Sequence, residues 1–262
     1  MRTFKCLGIG IVSLLFNACM VMDNFAERGS GRITTEQRNV SAISGVSLHT
    51  DGELFIEVGN TEALRVEADD NLIPYIQTDV RDGVLTIQTG PKGNLHFSRS
   101  VRYYLTVKSL NSIAIFSSGN IQAPDLKADK FFINVSSSGN LKMGDLQTGA
   151  LVVNINSSGD VTMRVLNAQL LEANIRSSGN LNIGGGEVKK QNIVLNSSGD
   201  YKAQNLESDE SDVSLISSGN AAIRVRDQLR ADLHSSGDLR YRGNPTVNLN
   251  KGSSGNLIHI GN

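Results

Sequence analysis

The chain has 262 residues, with 25 basic and 26 acidic side chains, so no basic surplus points to nucleic acid and no charged block points to a tail. Apolar residues make up 39%, aromatics only 5%, and Trp is absent. A core is therefore affordable but must be aliphatic, in one large domain or two ordinary ones.

Residues 1–19 begin with Arg2 and Lys5, and an apolar run from Cys6 to Phe16 follows, broken only by Gly and Ser. A basic start and about 11 apolar residues form the pattern of an export signal. The run is shorter than the ~20 residues of a membrane-spanning helix. A small-residue cleavage site after Ala18 would put Phe16 three residues before the cut, where a small side chain is wanted. The stretch Leu15-Phe16-Asn17-Ala18-Cys19 instead resembles a bacterial lipoprotein box, with Phe16 standing where Leu is usual. Cleavage there leaves Cys19 as the first residue and the only cysteine, which excludes an internal disulfide and makes acylation of Cys19 the expected use of the thiol. Plain secretion is the alternative. Residues 20–32 lack a sustained period and are expected to be a tether.

Residues 33–112 read as an irregular β-rich region that starts the architecture described next. "VRDGVLTIQ" at 80–88 places Asp-Gly between alternating runs, the pattern of a hairpin, and "VRYYLTV" at 101–107 is a further strand.

From residue 113 a short motif dominates. Ser-Ser-Gly-Asn/Asp occurs eight times, at intervals of 20, 20, 20, 20, 20, 18 and 18 residues. A catalytic serine occurs once per site, whereas a fixed period is architectural. The first serines are Ser117, Ser137, Ser157, Ser177, Ser197, Ser217, Ser235 and Ser253. The glycines are Gly119, Gly139, Gly159, Gly179, Gly199, Gly219, Gly237 and Gly255. Relative to each glycine, positions −6, −4, +2 and +4 are apolar, as in Val153, Ile155, Val161 and Met163, and Leu recurs at +7. The residues between are mostly polar. This period of two predicts strands of about five residues with one buried face. No stretch of 10–15 residues carries a helical period. The expected fold is all-β: a parallel β-solenoid of about 20 residues per coil, right-handed because parallel crossovers nearly always are. The motif is then the corner of each coil. Its first Ser faces inward, where its hydroxyl can bond to the neighbouring coil or to nearby backbone, while its Gly is expected to adopt positive φ. Val46, Leu48, Thr50, Asp51, Gly52, Leu54 and Ile56 fit the same columns, so the pattern begins before residue 113.

The residue after the glycine runs Asn120, Asn140, Asp160, Asn180, Asp200, Asn220, Asp238 and Asn256. No two Asp are adjacent. In a stacked ladder adjacent carboxylates would repel, and Asn between them can donate to both. Lys251 replaces the aliphatic residue at −4 in the last coil, so 247–262 read as a C-terminal cap or contact surface.

The stretch 43–89, "ISGVSLHTDGELFIEVGNTEALRVEADDNLIPYIQTDVRDGVLTIQT", followed by serial SSGN and SSGD, resembles the bacterial family described as putative auto-transporter adhesin, head GIN domain. The resemblance covers nearly all of the chain after the leader. It implies a β-solenoid, export, and frequently a lipoprotein of Gram-negative envelopes, and it supplies no catalytic residues.

Chemistry is sparse. Asp160, Asp200 and Asp238 lie whole coils apart, about 9.6 Å by strand spacing, too far to share one ion. Arg164, Arg224 and Arg242, five residues after their glycines, read as a solvated edge, and Arg176 and His234 as outward surface positions. No cofactor is expected. Asn134, Asn154, Asn156, Asn174 and Asn196 form an outward array suited to sugar hydroxyls, but Tyr201 and Tyr241 fall in inward columns and no exposed aromatic platform is evident beside the array. Ladder bonding is the simpler account of these Asn. The sequence thus points to a non-enzymatic, envelope-anchored solenoid serving adhesion, envelope structure or protein contact, with a polysaccharide-binding or polysaccharide-active solenoid as the alternative. The expected partners are a membrane through Cys19 and proteins or surface glycans, not nucleic acid. The expected location is the outer membrane, on its periplasmic or external face.

Overall fold

The computed structural model describes residues 27–90 and 95–261. Among these there is no α-helix; a single 3-10 turn at Ile73–Tyr75 interrupts the strands. The regular part is a stack of parallel coils offset by one repeat. Leu141 pairs with Val161, Leu146 with Leu166, Val153 with Ala173 and Ile155 with Ile175. Each regular coil has three paired runs. Between Leu141–Ile155 and Val161–Ile175 the pairing skips positions 144 and 149, and the Ser-Ser-Gly bend closes the third corner. The strands are consequently longer than the five residues expected, reaching 15 in Tyr201–Leu215, because the ladder carries on through two of the three corners. Val153, Ile155, Val161, Met163 and Leu166 are all buried, as the alternation requires. Two further inward columns complete the core, one through Phe131, Leu151 and Leu171 and one through Ala168 and Val188. A single coil cannot enclose these side chains; its neighbours do, so stability is a sum of coil-to-coil interfaces.

The N-terminal region joins the same core. Gly45–Leu48 and Glu53–Val58 form a first coil on which Ser112–Ile115 and Asn120–Ala123 stack, with Val46 opposite Ile113, Leu48 opposite Ile115 and Leu54 opposite Ile121. Residues 59–111 double back beneath it. Val84–Thr89 pairs in parallel with Gly45–Leu48, and Arg102–Val107 with Glu53–Val58. Antiparallel strands then finish this end: Ile76–Arg81 on Val84–Thr89, Ala63–Asp69 on Arg102–Val107, and Ile33–Arg38 on Ala63–Asp69. The turn at Asp82-Gly83 has φ of 50° and 78°, the positive pair that a tight hairpin between right-twisted strands demands. Within the segment read as a tether, Glu27–Arg28 pairs with Leu95–His96.

At the other end, Thr246–Lys251 and Leu257–His259 make the last described coil, each paired, among the described residues, with the preceding coil only. Lys251 lies in register with Leu233 at the rim, and Val247, Leu249 and Ile260 are exposed.

Candidate functional site

The corner glycines are buried, but their φ is not positive; the positive values fall at Gly31, Gly52, Gly83, Gly186, Gly243 and Gly261. The expectation of positive φ at these corners is therefore corrected. Glycine is needed for room. A Cβ on Gly159 would lie 2.1 Å from the Gly139 carbonyl oxygen and 2.7 Å from that of Ser137. The same approach recurs at Gly139, Gly179, Gly199, Gly219, Gly237 and Gly255, each against the glycine one coil below. The corner backbone is itself a ladder, with the Gly159 N–H donating to Ser137 O at 3.1 Å and the Gly179 N–H to Ser157 O at 3.0 Å. The first serine of each motif is half-buried and the second exposed. Ser117 Oγ donates to the Thr50 carbonyl at 2.8 Å, and Ser253 Oγ to the Ser235 carbonyl, each one coil below.

The Asn/Asp column works through one acceptor per coil. Oδ1 of Asn120, Asn140, Asp160, Asn180, Asp200, Asn220 and Asp238 each accepts the backbone N–H of the next member, at 2.9 to 3.1 Å. Where that next member is Asn, its side-chain amide donates to the same oxygen: Asn140 to Asn120 at 3.0 Å, Asn180 to Asp160 at 2.8 Å, Asn220 to Asp200 at 3.2 Å and Asn256 to Asp238 at 3.0 Å. Asn and Asp alike supply the acceptor. Only Asn also supplies the donor, so a second consecutive Asp would face the first with no proton between them. At Asp200, burial alone would raise the carboxyl, but the Asn220 N–H, the Lys202 ammonium and the Asn220 amide together hold it below the usual carboxylate range.

Two polar clusters lie inside. Tyr201 donates to Gln191 Oε1 at 2.7 Å, the Gln191 amide donates to Ser208 and Ser211 at 2.9 Å each, and Ser208 reaches the Arg224 carbonyl at 2.9 Å. Burial pushes the Tyr201 phenol up, so it remains a donor. This satisfied network sits where Tyr201–Leu215 and Ala221–Leu233 slip register and the repeat shortens to 18 residues. At the N-terminal end Asp69 is fully buried and accepts from the Gly31 N–H at 2.8 Å, the Ser98 N–H at 2.9 Å and the Ser98 hydroxyl at 2.6 Å. Burial raises this carboxyl, and the hydrogen bonds from Ser98 and Gly31 outweigh it, leaving its pKa below the ordinary value. Asp69 thereby ties 29–31 and 95–98 to the coil stack.

The charged edges are paired. Arg164 bridges Asp125 and Asp145, both at 2.9 Å, Arg224 meets Glu207 at 3.0 Å, and Arg226 contacts Glu207 and Asp209. Of these, Glu207, Asp209 and Arg226 line a shallow groove of about 440 Å³ that also carries Gln147, Asn167 and Glu187. No cluster of three or more His, Cys, Asp or Glu among the described residues is arranged to hold a metal.

The outward Asn array has a feature the sequence reading missed. Tyr201 is buried and Tyr241 half-buried, as expected, but Phe116 and Phe132 stand on the same face as the Asn, each 44% exposed. A column-by-column reading overlooks them because each belongs to one coil only; the signal was their odd parity, Phe116 at −3 and Phe132 at −7. Cys19 lies outside the described residues.

Stacked parallel coils around one continuous core, closed by a repeated corner, define a β-solenoid. The chain belongs to the family described as "Putative auto-transporter adhesin, head GIN domain", which matches residues 43–245. No curated protein matches it. Solved structures share the fold. A "putative adhesin" from Parabacteroides distasonis is 24% identical with a TM-score of 0.81, covering 90% of this chain and 100% of its own. One from Parabacteroides merdae is 22% identical with a TM-score of 0.78, covering 89% and 98%. A "putative lipid binding protein" from P. distasonis is 21% identical with a TM-score of 0.74, covering 90% and 97%.

Proposed function

We propose that this protein is a non-enzymatic, exported β-solenoid, anchored in the outer membrane by a lipid on Cys19, that presents its outward faces for adhesion. The observation that carries this reading is how the recurring polar groups of the repeat are used. The corner Ser and Gly and the Asn/Asp column all bond coil to coil, so the repeat builds a rigid support rather than a reactive centre. The family description, an adhesin, agrees with a support whose faces do the work. Acylation of Cys19 follows from its place after the apolar run and Ala18, and residues 20–26 would then join the anchor to the first described strand. Fractionation and intact-mass measurement of wild type and Cys19→Ala test the anchor: the wild type should carry acyl mass and sediment with membranes, and the variant should do neither. Attachment of cells to coated surfaces tests the role. Deleting the gene should reduce attachment, and Cys19→Ala should reduce it to the same extent. Undiminished attachment in the deletion strain would refute the adhesive role.

A further inference from the structure

We propose that the sheet face around Phe116 and Phe132 is a binding platform for uncharged glycans, an inference that rests on the adhesive reading and names its ligand class. Among the described residues, these two are the only aromatics in the set of large exposed apolar side chains. They sit on consecutive coils: Phe132 is opposite Ser112, and Phe116 follows the strand that pairs with Phe132–Val135. Phe116 is stacked on His49 of the coil below, with centroids 4.6 Å apart and planes inclined by 23°. On the next coil the same column holds the short side chain of Ser136, and the ring is 44% exposed. The ring is thus braced from behind and open in front.

The polar groups beside the rings suit hydroxyls. Asn134 pairs in register with Asn154, and Asn154 with Asn174, so amides recur along the rod at about 4.8 Å. They bond to one another weakly: Asn174 to Asn154 at 3.4 Å, and Asn156 to Asn134 at 3.4 Å and to Ser136 at 3.5 Å. Asn134 Oδ1 also accepts the Ser136 hydroxyl at 3.1 Å; the longer bonds leave amide hydrogens of the row free for a ligand. A planar ring flanked by two-way amides is what a sugar presents a partner for: an apolar C–H face and hydroxyls at the rim.

Charge chooses within the glycans. The outward positions of this strand from Phe132 to Asn156 carry no ionisable side chain. The nearest charges are Lys130, over the Phe132 ring at 5.6 Å from its centroid, Glu172, one coil beyond Val152, and Arg176, which donates to Asn156 Oδ1 at 3.4 Å. His49 shares a hydrogen bond with Ser47 at 2.7 Å, and partial desolvation lowers its pKa. The border charges are of both signs, so no patch of a single sign selects a uronic acid or a sulfate. An acyl chain would want a continuous apolar strip, and the Asn rows interrupt one.

The test is binding of the purified full chain to immobilised dextran, mannan and chito-oligosaccharides, with alginate, heparin and phosphatidylcholine vesicles as comparators. At least one neutral glycan should bind, with little dependence on salt. Phe116→Ala and Phe132→Ala should each weaken that binding roughly two- to tenfold, the range expected for one aromatic contact. Phe116→Tyr should retain it. Both rings are exposed, so melting temperatures of the Ala variants should match wild type and exclude misfolding as the cause. The proposal is overturned if no neutral glycan binds, if the Ala variants bind like wild type, or if only the acidic glycans or the vesicles bind. Lost attachment in the deletion strain together with no glycan binding would sink this proposal alone and leave the adhesive role standing.

Discussion

Gly159 and Ser158 are neighbours with opposite tolerances. A methyl on Gly159 would sit 2.1 Å from the Gly139 carbonyl oxygen, and that oxygen is backbone held on both sides by the stack. Gly159→Ala should therefore lower stability by about 1–3 kcal/mol, the usual range for overpacking. Ser158 faces solvent, and Ser158→Ala should stay within about 0.5 kcal/mol. Thermal melts compare the two, and equal midpoints would contradict the close approach. Asp69 gives a pH dependence. Its carboxyl is held below its ordinary value in the fold, so its stabilising contribution is present above the unfolded pKa, near 4, and is lost as pH falls through the lower folded value. Amide exchange around Gly31 and Ser98 should rise in that acid window before the coils open, and Asp69→Asn should show the rise already at neutral pH. The glycine period was legible in the sequence because every coil repeats it. Its cause was not, since positive φ and crowding select the same residue.

At the scale of one ladder, Asn180 is the informative position. Its Oδ1 accepts the Asp200 N–H and its amide donates to Asp160. Asn180→Asp keeps the acceptor, removes the donor and sets three carboxylates in a row. Two new like-charged contacts at about 0.2–1 kcal/mol each, with the lost hydrogen bond, predict a loss of about 1–2 kcal/mol. Asn140→Asp creates one such contact, with Asp160, and should cost about half as much. Denaturant melts at low and high salt should show both losses shrinking with salt, and an equal, salt-independent effect would contradict the ladder. The alternation of Asn and Asp was visible in the sequence as the absence of adjacent Asp. The bonded atoms were not, because either residue satisfies a plain polar column. Phe116 and Phe132 escaped for the opposite reason: a reading built on recurrence discards a side chain that occurs once per column.

Over the whole molecule the two ends differ. The N-terminal end closes with antiparallel strands, whereas among the described residues the outer edges of Thr246–Lys251 and Leu257–His259 have no paired strand. An inward-column lysine is a common guard against edge-to-edge joining, and Lys251 occupies the column of Leu233. Lys251→Ile should let chains associate end to end, seen as a concentration-dependent rise in sedimentation coefficient that wild type lacks; identical sedimentation would remove the guard role. The doubling back of 59–111 was hidden from a one-dimensional reading, because the period records which residues stack and not the order in which they arrive. That order bears on how the protein is made. The coil of Gly45–Leu48 and Glu53–Val58 emerges first, yet both of its sides are covered by segments synthesised later. A chain threading out of a ribosome or an export channel has no finished starting layer until about residue 123 is free. From there winding can keep pace with delivery, one coil for each 18 to 20 residues released, each new coil crystallising onto the one before it as it comes.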